Sequence, residues 1–163
     1  MKGTEHRARA ALGALVLALM SLSAEGGDLR AFGPQSYEQI LKAHRDRPFV
    51  LVFWSVDCAP CHQELTLLAN IAAENPSLEL VLVSTDRRGI APQVTATLAE
   101  HGLGRVEAWL FDGTPERLRR TVDATWYGTV PRTYLFDPAH RRRTVSGALP
   151  RASLESWLRE QPR

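Results

Sequence analysis

Phe49-Val50-Leu51-Val52-Phe53-Trp54-Ser55-Val56-Asp57-Cys58-Ala59-Pro60-Cys61-His62-Gln63-Glu64-Leu65 decides how this chain folds. From Phe49 to Trp54 the residues are apolar, β-branched and aromatic without a break. That run is too short for a helix and reads as a buried strand. From Gln63 to Asn75 the apolar positions Leu65, Leu68, Ala69 and Ala72 fall at helical spacing. Cys58 and Cys61, the only cysteines of the chain, stand where the strand hands over to the helix. Three residues make about one helical turn, so both sulfurs share a face and can join in a disulfide.

A thiol attacks or binds metal only after losing its proton, and a free cysteine is mostly protonated near neutral pH. Position supplies the remedy. Cys58 falls at the helix start, where unpaired backbone N–H groups and the helix dipole favour negative charge. It is expected to be the attacking thiolate, with Cys61, one turn inside, as the resolving thiol. Pro60 lies early enough in the helix for its missing N–H to cost little. Asp57 would raise the Cys58 pKa if its carboxylate turns inward, and a protonated His62 would lower it. Read alone, His62 is a surface histidine of the helix or part of the site. Glu64, three residues beyond Cys61, is an exposed helix carboxylate or a proton relay to the buried thiol.

The 163 residues suit one domain with an ordinary core, and 44% hydrophobic with 23% charged residues is the composition of a globular protein. Lys2, Arg7 and Arg9 precede a charge-free stretch from Ala10 to Ala24, with Ser21 and Ser23 at a cleavage point after Ser23. The apolar run falls short of the roughly 20 residues of a spanning helix. A removable signal peptide over 1–23 and a periplasmic or otherwise exported location are therefore expected, with an uncleaved membrane anchor as the alternative. Loss of 1–23 takes away Lys2, Arg7, Arg9 and Glu5, so the formal charge of +2 falls to zero. Charge balance thus gives no support to a nucleic-acid partner. A disulfide closing so small a loop constrains the unfolded chain little, which makes it poor stapling but suitable for reversible chemistry.

Outward from the cysteines, residues 24–35 are Gly-rich and expected to be loose, and Ser36 is expected to cap a helix to about Arg45. Asn75-Pro76 ends the cysteine helix, and Leu78–Ser84 reads as a strand. A helix over Pro92–His101 and a strand near Val106–Phe111 follow. Thr114-Pro115 opens a helix to about Thr125. Arg132–Phe136 and Arg143–Ser146 flank a turn at Asp137–Arg142, an antiparallel hairpin whose Arg141-Arg142-Arg143 run sits at a solvated tip. A last helix spans Arg151 to Glu160. The order α-β-α-β-α-β-α-β-β-α implies a three-layer α/β domain over 36–163, with parallel strands joined by helices and closed by a hairpin.

A second constellation is Gly128-Thr129-Val130-Pro131-Arg132-Thr133-Tyr134-Leu135-Phe136-Asp137. A proline before an apolar strand belongs at its first residue or edge, and it permits a cis peptide. Taken together, a strand ending in Phe53-Trp54, a C-x-P-C helix start and Val130-Pro131-Arg132-Thr133 resemble the thioredoxin superfamily, in particular the exported TlpA/ResA-like thiol–disulfide oxidoreductases. The resemblance covers about residues 36–160. It implies a thioredoxin-like fold with a central mixed sheet and an αβ insertion within 85–112. It implies a cis Pro131 facing the disulfide, Val130 offering its backbone to substrate, and Trp54 and Pro60 at the docking surface. Glu64 matches the family's Cys-x-x-Cys-x-x-Glu pattern. Two departures stand out: Asp57 replaces the usual tryptophan, and Val52 occupies the place of thioredoxin's buried aspartate.

Three functions follow. The first is disulfide exchange with cysteine-containing exported proteins, with cytochrome c or copper-site maturation as settings. It would use a membrane electron donor or acceptor reached by transient membrane association, no cofactor, and a monomeric chain. The second is a Cu or Zn chaperone using both thiolates and His62, although a closed zinc site wants four ligands. The third is an interaction domain with idle cysteines, which Asp57 keeps open.

Overall fold

The computed structural model describes residues 27–162. Its elements run β1 (Leu29–Phe32), α1 (Ser36–Ala43), β2 (Phe49–Trp54), α2 (Ala59–Glu74), β3 (Glu79–Ser84), a 3-10 turn (Arg88–Ile90), α3 (Ala91–Glu100), β4 (Glu107–Phe111), α4 (Pro115–Val122), β5 (Arg132–Phe136), β6 (Arg142–Ser146) and α5 (Arg151–Glu160). The six strands form one mixed sheet in the order β1-β4-β3-β2-β5-β6. The first four run parallel, β5 runs antiparallel to β2, and β6 antiparallel to β5.

All six residues of β2 are buried because the strand lies mid-sheet with a layer on each face. Val50, Val52 and Trp54 pack with Leu65, Leu68 and Ile71 of α2, Val94 and Leu98 of α3, and Leu154 and Trp157 of α5. Phe49, Leu51 and Phe53 pack on the opposite face with Ile40 of α1, Leu118 and Val122 of α4, and Trp126. Full burial stabilises the fold by about 1.5–3 kcal/mol per large apolar side chain. The expected three layers with a central mixed sheet are present, and α3 and β4 lie within 85–112 as the resemblance implied. Among the described residues, no helix is long and apolar enough to cross a membrane. The signal segment 1–23 lies outside the described residues.

Beyond shifts of one or two residues at element ends, the sequence reading is corrected at three places. The segment expected to be loose holds β1, which pairs in parallel with β4 from Leu29–Ala108 to Phe32–Phe111. Its Phe32 is wholly buried against Phe53 and Phe111, so the domain starts before residue 36. Ser36 is the first residue of α1, not its cap: its hydroxyl accepts from the Gly33 amide at 2.9 Å and donates to the Ala31 carbonyl at 3.3 Å. α4 ends at Val122, since the Asp123 carboxylate accepts from the Thr125 amide and hydroxyl at 2.9 and 2.7 Å. An Asx turn of that kind competes with continued helix.

At the end of the sheet where β2 begins, His44 stacks on Phe49 with ring centroids 4.6 Å apart. Its Nδ1 lies 2.5 Å from Glu79 and its Nε2 3.0 Å from Glu107. An ionised carboxylate only accepts, so each ring nitrogen donates when His44 carries its second proton, and the two bonds outweigh burial and raise its pKa.

Candidate active site

Cys58 is the N-cap residue of α2, and Cys61 sits in the first turn with its side chain wholly buried. The two are joined in a disulfide with Cα atoms 5.2 Å apart. The Cys61 amide donates to the Cys58 carbonyl at 2.9 Å and also approaches Cys58 Sγ at 3.2 Å. The outer sulfur thus occupies the position where a helix N-terminus receives negative charge. Cys58 is partly exposed, while Ala59 and Pro60 beside it are exposed, and Pro60 lies at the second helical position. Asp57 is exposed to solvent.

The loop from β2 to α2 is tied down by side chains that sequence inspection did not single out. Thr85 holds the Trp54 carbonyl with its amide at 2.8 Å and its hydroxyl at 3.2 Å. The Val56 amide donates to Asp86 Oδ2 at 2.9 Å, and the same oxygen accepts from the Ser84 hydroxyl at 2.7 Å. The Val56 carbonyl accepts from His62 Nε2 at 2.7 Å. His62 Nδ1 in turn lies 3.0 Å from His101 Nε2, and His101 Nδ1 lies 3.2 Å from the Thr66 hydroxyl. Burial, then the neighbouring His62, lowers the pKa of His101. His62 is therefore neither a free surface histidine nor aimed at open solvent. No local motif marks Asp86 or His101, because both reach the loop through the tertiary fold.

Glu64 is 2% exposed, which removes the reading as a surface carboxylate. It accepts from the Thr133 hydroxyl on β5 and from the Leu149 amide at 2.8 Å. Burial pushes its carboxyl pKa up, and those two bonds offset the rise only in part. Both oxygens are thus engaged by the sheet and the β6–α5 loop.

The pairing of β5 with β2 runs from Phe136–Phe49 to Arg132–Phe53. Pro131, next in line, therefore lies at the end of β2 from which the cysteine loop departs. Its bond to Val130 is cis, and its carbonyl accepts from the Gly147 amide at 2.9 Å. Val130 is half-buried and packs against the core on both faces of the sheet. Arg132 continues from the proline into a bond with Asp123 at 2.8 Å, while Trp126 Nε1 donates to the Thr129 carbonyl at 2.9 Å. The cysteine loop, Val130 and Pro131 thus lie at the same end of the two central strands β2 and β5. Of these, Cys58 and Val130 are partly exposed, Cys61 and Pro131 are buried, and Trp54 is buried as well. It is 1% exposed, and its indole lies in the core facing α2, so the expected substrate contact is corrected to a packing role.

Three surface hollows lie elsewhere, beside Leu41 and His140, beside Arg142 and Trp157, and beside Arg119 and Tyr127. Neither cysteine lines any of them.

No protein-family model and no curated protein matches the chain. Solved structures do. The chain is similar to a secreted Mycobacterium tuberculosis disulfide oxidoreductase homologous to E. coli DsbE, with 19% identity over 72% of this chain and 84% of that one, TM-score 0.58. It is similar to StoA from Bacillus subtilis, at 20% identity over 70% and 84% of the two chains, TM-score 0.53. A third likeness is to the thioredoxin domain of a thiol–disulfide oxidoreductase from Bacteroides vulgatus, at 19% identity over 74% and 82%, TM-score 0.55. These likenesses establish a thioredoxin-like fold.

Proposed function

We propose that this chain is a thiol–disulfide oxidoreductase that exchanges disulfides with partner proteins through Cys58 and Cys61. One observation carries the reading. A partly exposed cysteine at a helix N-terminus is bonded to a wholly buried one a turn away, at the end of the central strands that also holds Val130 and Pro131.

In the reducing direction, the Cys58 thiolate attacks one sulfur of a substrate disulfide. The substrate S–S bond breaks, a mixed disulfide forms, and the departing substrate thiolate takes up a proton. Cys61 then loses its proton and attacks Cys58 Sγ. The mixed disulfide breaks, the Cys58–Cys61 bond forms, and the second substrate thiol is released. Two electrons have passed from the protein dithiol to the substrate, and a dithiol donor must restore them. The same steps reversed oxidise a substrate dithiol.

In this scheme the N-terminal amides of α2 stabilise the Cys58 thiolate, and Glu64 exchanges a proton with Cys61 from the same helical face. The Val130 backbone, Pro131 and the exposed Pro60 meet the substrate chain. The chain works as a monomer on cysteine-containing exported proteins, cytochrome c or copper-site proteins among them. A membrane-held dithiol serves as electron donor or acceptor. The basic and then apolar N-terminal sequence supports export, as does the secreted character of one structural neighbour.

Equilibration with reduced and oxidised glutathione tests the reading. Cys58→Ser abolishes exchange, whereas Cys61→Ser accumulates a mixed disulfide that mass spectrometry detects. Exchange that persists without Cys58 overturns it.

A further inference from the structure

Between the last residue of β2 and the cap of α2 lie only Ser55, Val56 and Asp57, and this loop aims Cys58. Val56 is held at both its amide and its carbonyl: Asp86 Oδ2 accepts from its amide at 2.9 Å, and His62 donates to its carbonyl at 2.7 Å. The two holders come from different elements, Asp86 from the turn after β3 and His62 from α2. Val56 also packs against the core. The Cys58 amide closes the turn on the Ser55 carbonyl at 3.3 Å. Release of Val56 would therefore let the cap residue leave the helix end.

The histidine bond follows from proton counting. A carbonyl only accepts, so His62 Nε2 carries a proton. One further proton lies between His62 Nδ1 and His101 Nε2, which are 3.0 Å apart. With both rings neutral, His101 Nε2 donates to His62 and the Thr66 hydroxyl donates to His101 Nδ1. With one proton added on either ring, His101 Nδ1 donates to Thr66, and Thr66 turns to the His62 carbonyl, 3.0 Å away. In both states the Val56 carbonyl keeps its donor.

We infer that Asp86 and the His62–His101 pair are positioning residues that set the reactivity of Cys58 by clamping Val56. The inference rests on the reading of Cys58 as the attacking thiol. In the full chain carrying Cys61→Ser, Cys58 is the sole thiol, and iodoacetamide reads its thiolate by forming a C–S bond and releasing iodide. Asp86→Ala and His62→Ala lower the alkylation rate at neutral pH about tenfold and move its pH profile upward, the scale expected for unmaking a partly buried hydrogen bond. Asp86→Asn, which still accepts, and His62→Gln, which still donates, restore most of the rate. Thr95→Ala, whose hydroxyl among the described residues donates only to the Ala91 carbonyl of α3, leaves it unchanged.

An unchanged profile in the alanine variants, or a loss that the conservative variants do not restore, overturns the inference. Should an alanine variant fail to fold, His101→Ala removes only the ring behind His62, and an unchanged profile there overturns the role of the pair. If the wild-type chain does not exchange with glutathione, the proposed function fails. Normal exchange with unaffected variants defeats the clamp alone.

Discussion

Glu64 on α2 and Thr133 on β5 meet inside the core, the hydroxyl donating to a carboxylate that is 2% exposed. The second carboxylate oxygen accepts from the Leu149 amide, so one side chain ties the cysteine helix to β5 and to the loop before α5. Glu64→Ala leaves that amide unpaired and costs about 1–3 kcal/mol in urea unfolding. Glu64→Gln keeps an acceptor for Leu149 and a polar partner for Thr133. Because burial raises the folded pKa above 4.5, Glu64 favours the fold most in acid and loses that contribution as pH rises through the raised value. The urea midpoint of Glu64→Gln therefore gains on wild type as pH rises above 4.5 and through the raised value. A constant difference across that range would remove the buried ionisation from the account.

His44 gives the next pH signature. Burial alone would lower its pKa, but hydrogen bonds to Glu107 and Glu79 outweigh it and the net shift is upward from 6.5. A raised folded pKa means stabilisation that is complete below 6.5 and is lost as pH rises through the raised value. Glu107, lowered first by its bond to His44, contributes above 4.5 and loses that contribution as pH falls through its folded pKa. The pair is strongest between those two ordinary values. His44→Phe keeps the stacking on Phe49 and flattens the alkaline limb of thermal stability against pH.

Asp123 behaves oppositely. Burial would raise it, yet bonds from Thr125 and Arg132 and the charge of Arg142 hold its carboxyl at about 2. A depressed pKa gives stabilisation present above 3.8 and lost as pH falls toward about 2. Asp123→Ala strands the half-buried Arg132 guanidinium, which follows Pro131 directly, and costs about 3 kcal/mol at neutral pH. Its acid unfolding then starts from a lower plateau and lacks the wild-type slope below about pH 4.

Trp126 and Tyr127 are neighbours with contrasting fates. Trp126 is 4% exposed, packs on Phe53 at 4.7 Å and bonds the Thr129 carbonyl, whereas Tyr127 is 90% exposed. Trp126→Ala costs about 3–5 kcal/mol. Tyr127→Ala stays within about 0.5 kcal/mol. Chemical denaturation of the two variants checks the contrast, and equal losses would contradict it.

Much of this was legible in the sequence because the decisive residues are contiguous. Phe49–Trp54, the cysteine helix and the β5–β6 hairpin each carry their own periodicity or turn chemistry. β1 escaped because four residues, Leu29 to Phe32, sit among glycines and gain strand character only by pairing with β4. Trp54 was read toward substrate because its place before the cysteines does not reveal which face of β2 its ring takes. The partners of Glu64 lie 69 and 85 residues away, and Asp86 lies 30 from Val56. Such pairs are products of topology, and no local pattern encodes them.

The burial difference between the two sulfurs has a stereochemical outcome. Cys58 Sγ can be approached from outside and Cys61 Sγ cannot, so any adduct with a second macromolecule grows from a single point of attachment. On the proposed function, each captured guest hangs from Cys58 at the tip of α2, and its release waits on an attack delivered from underneath.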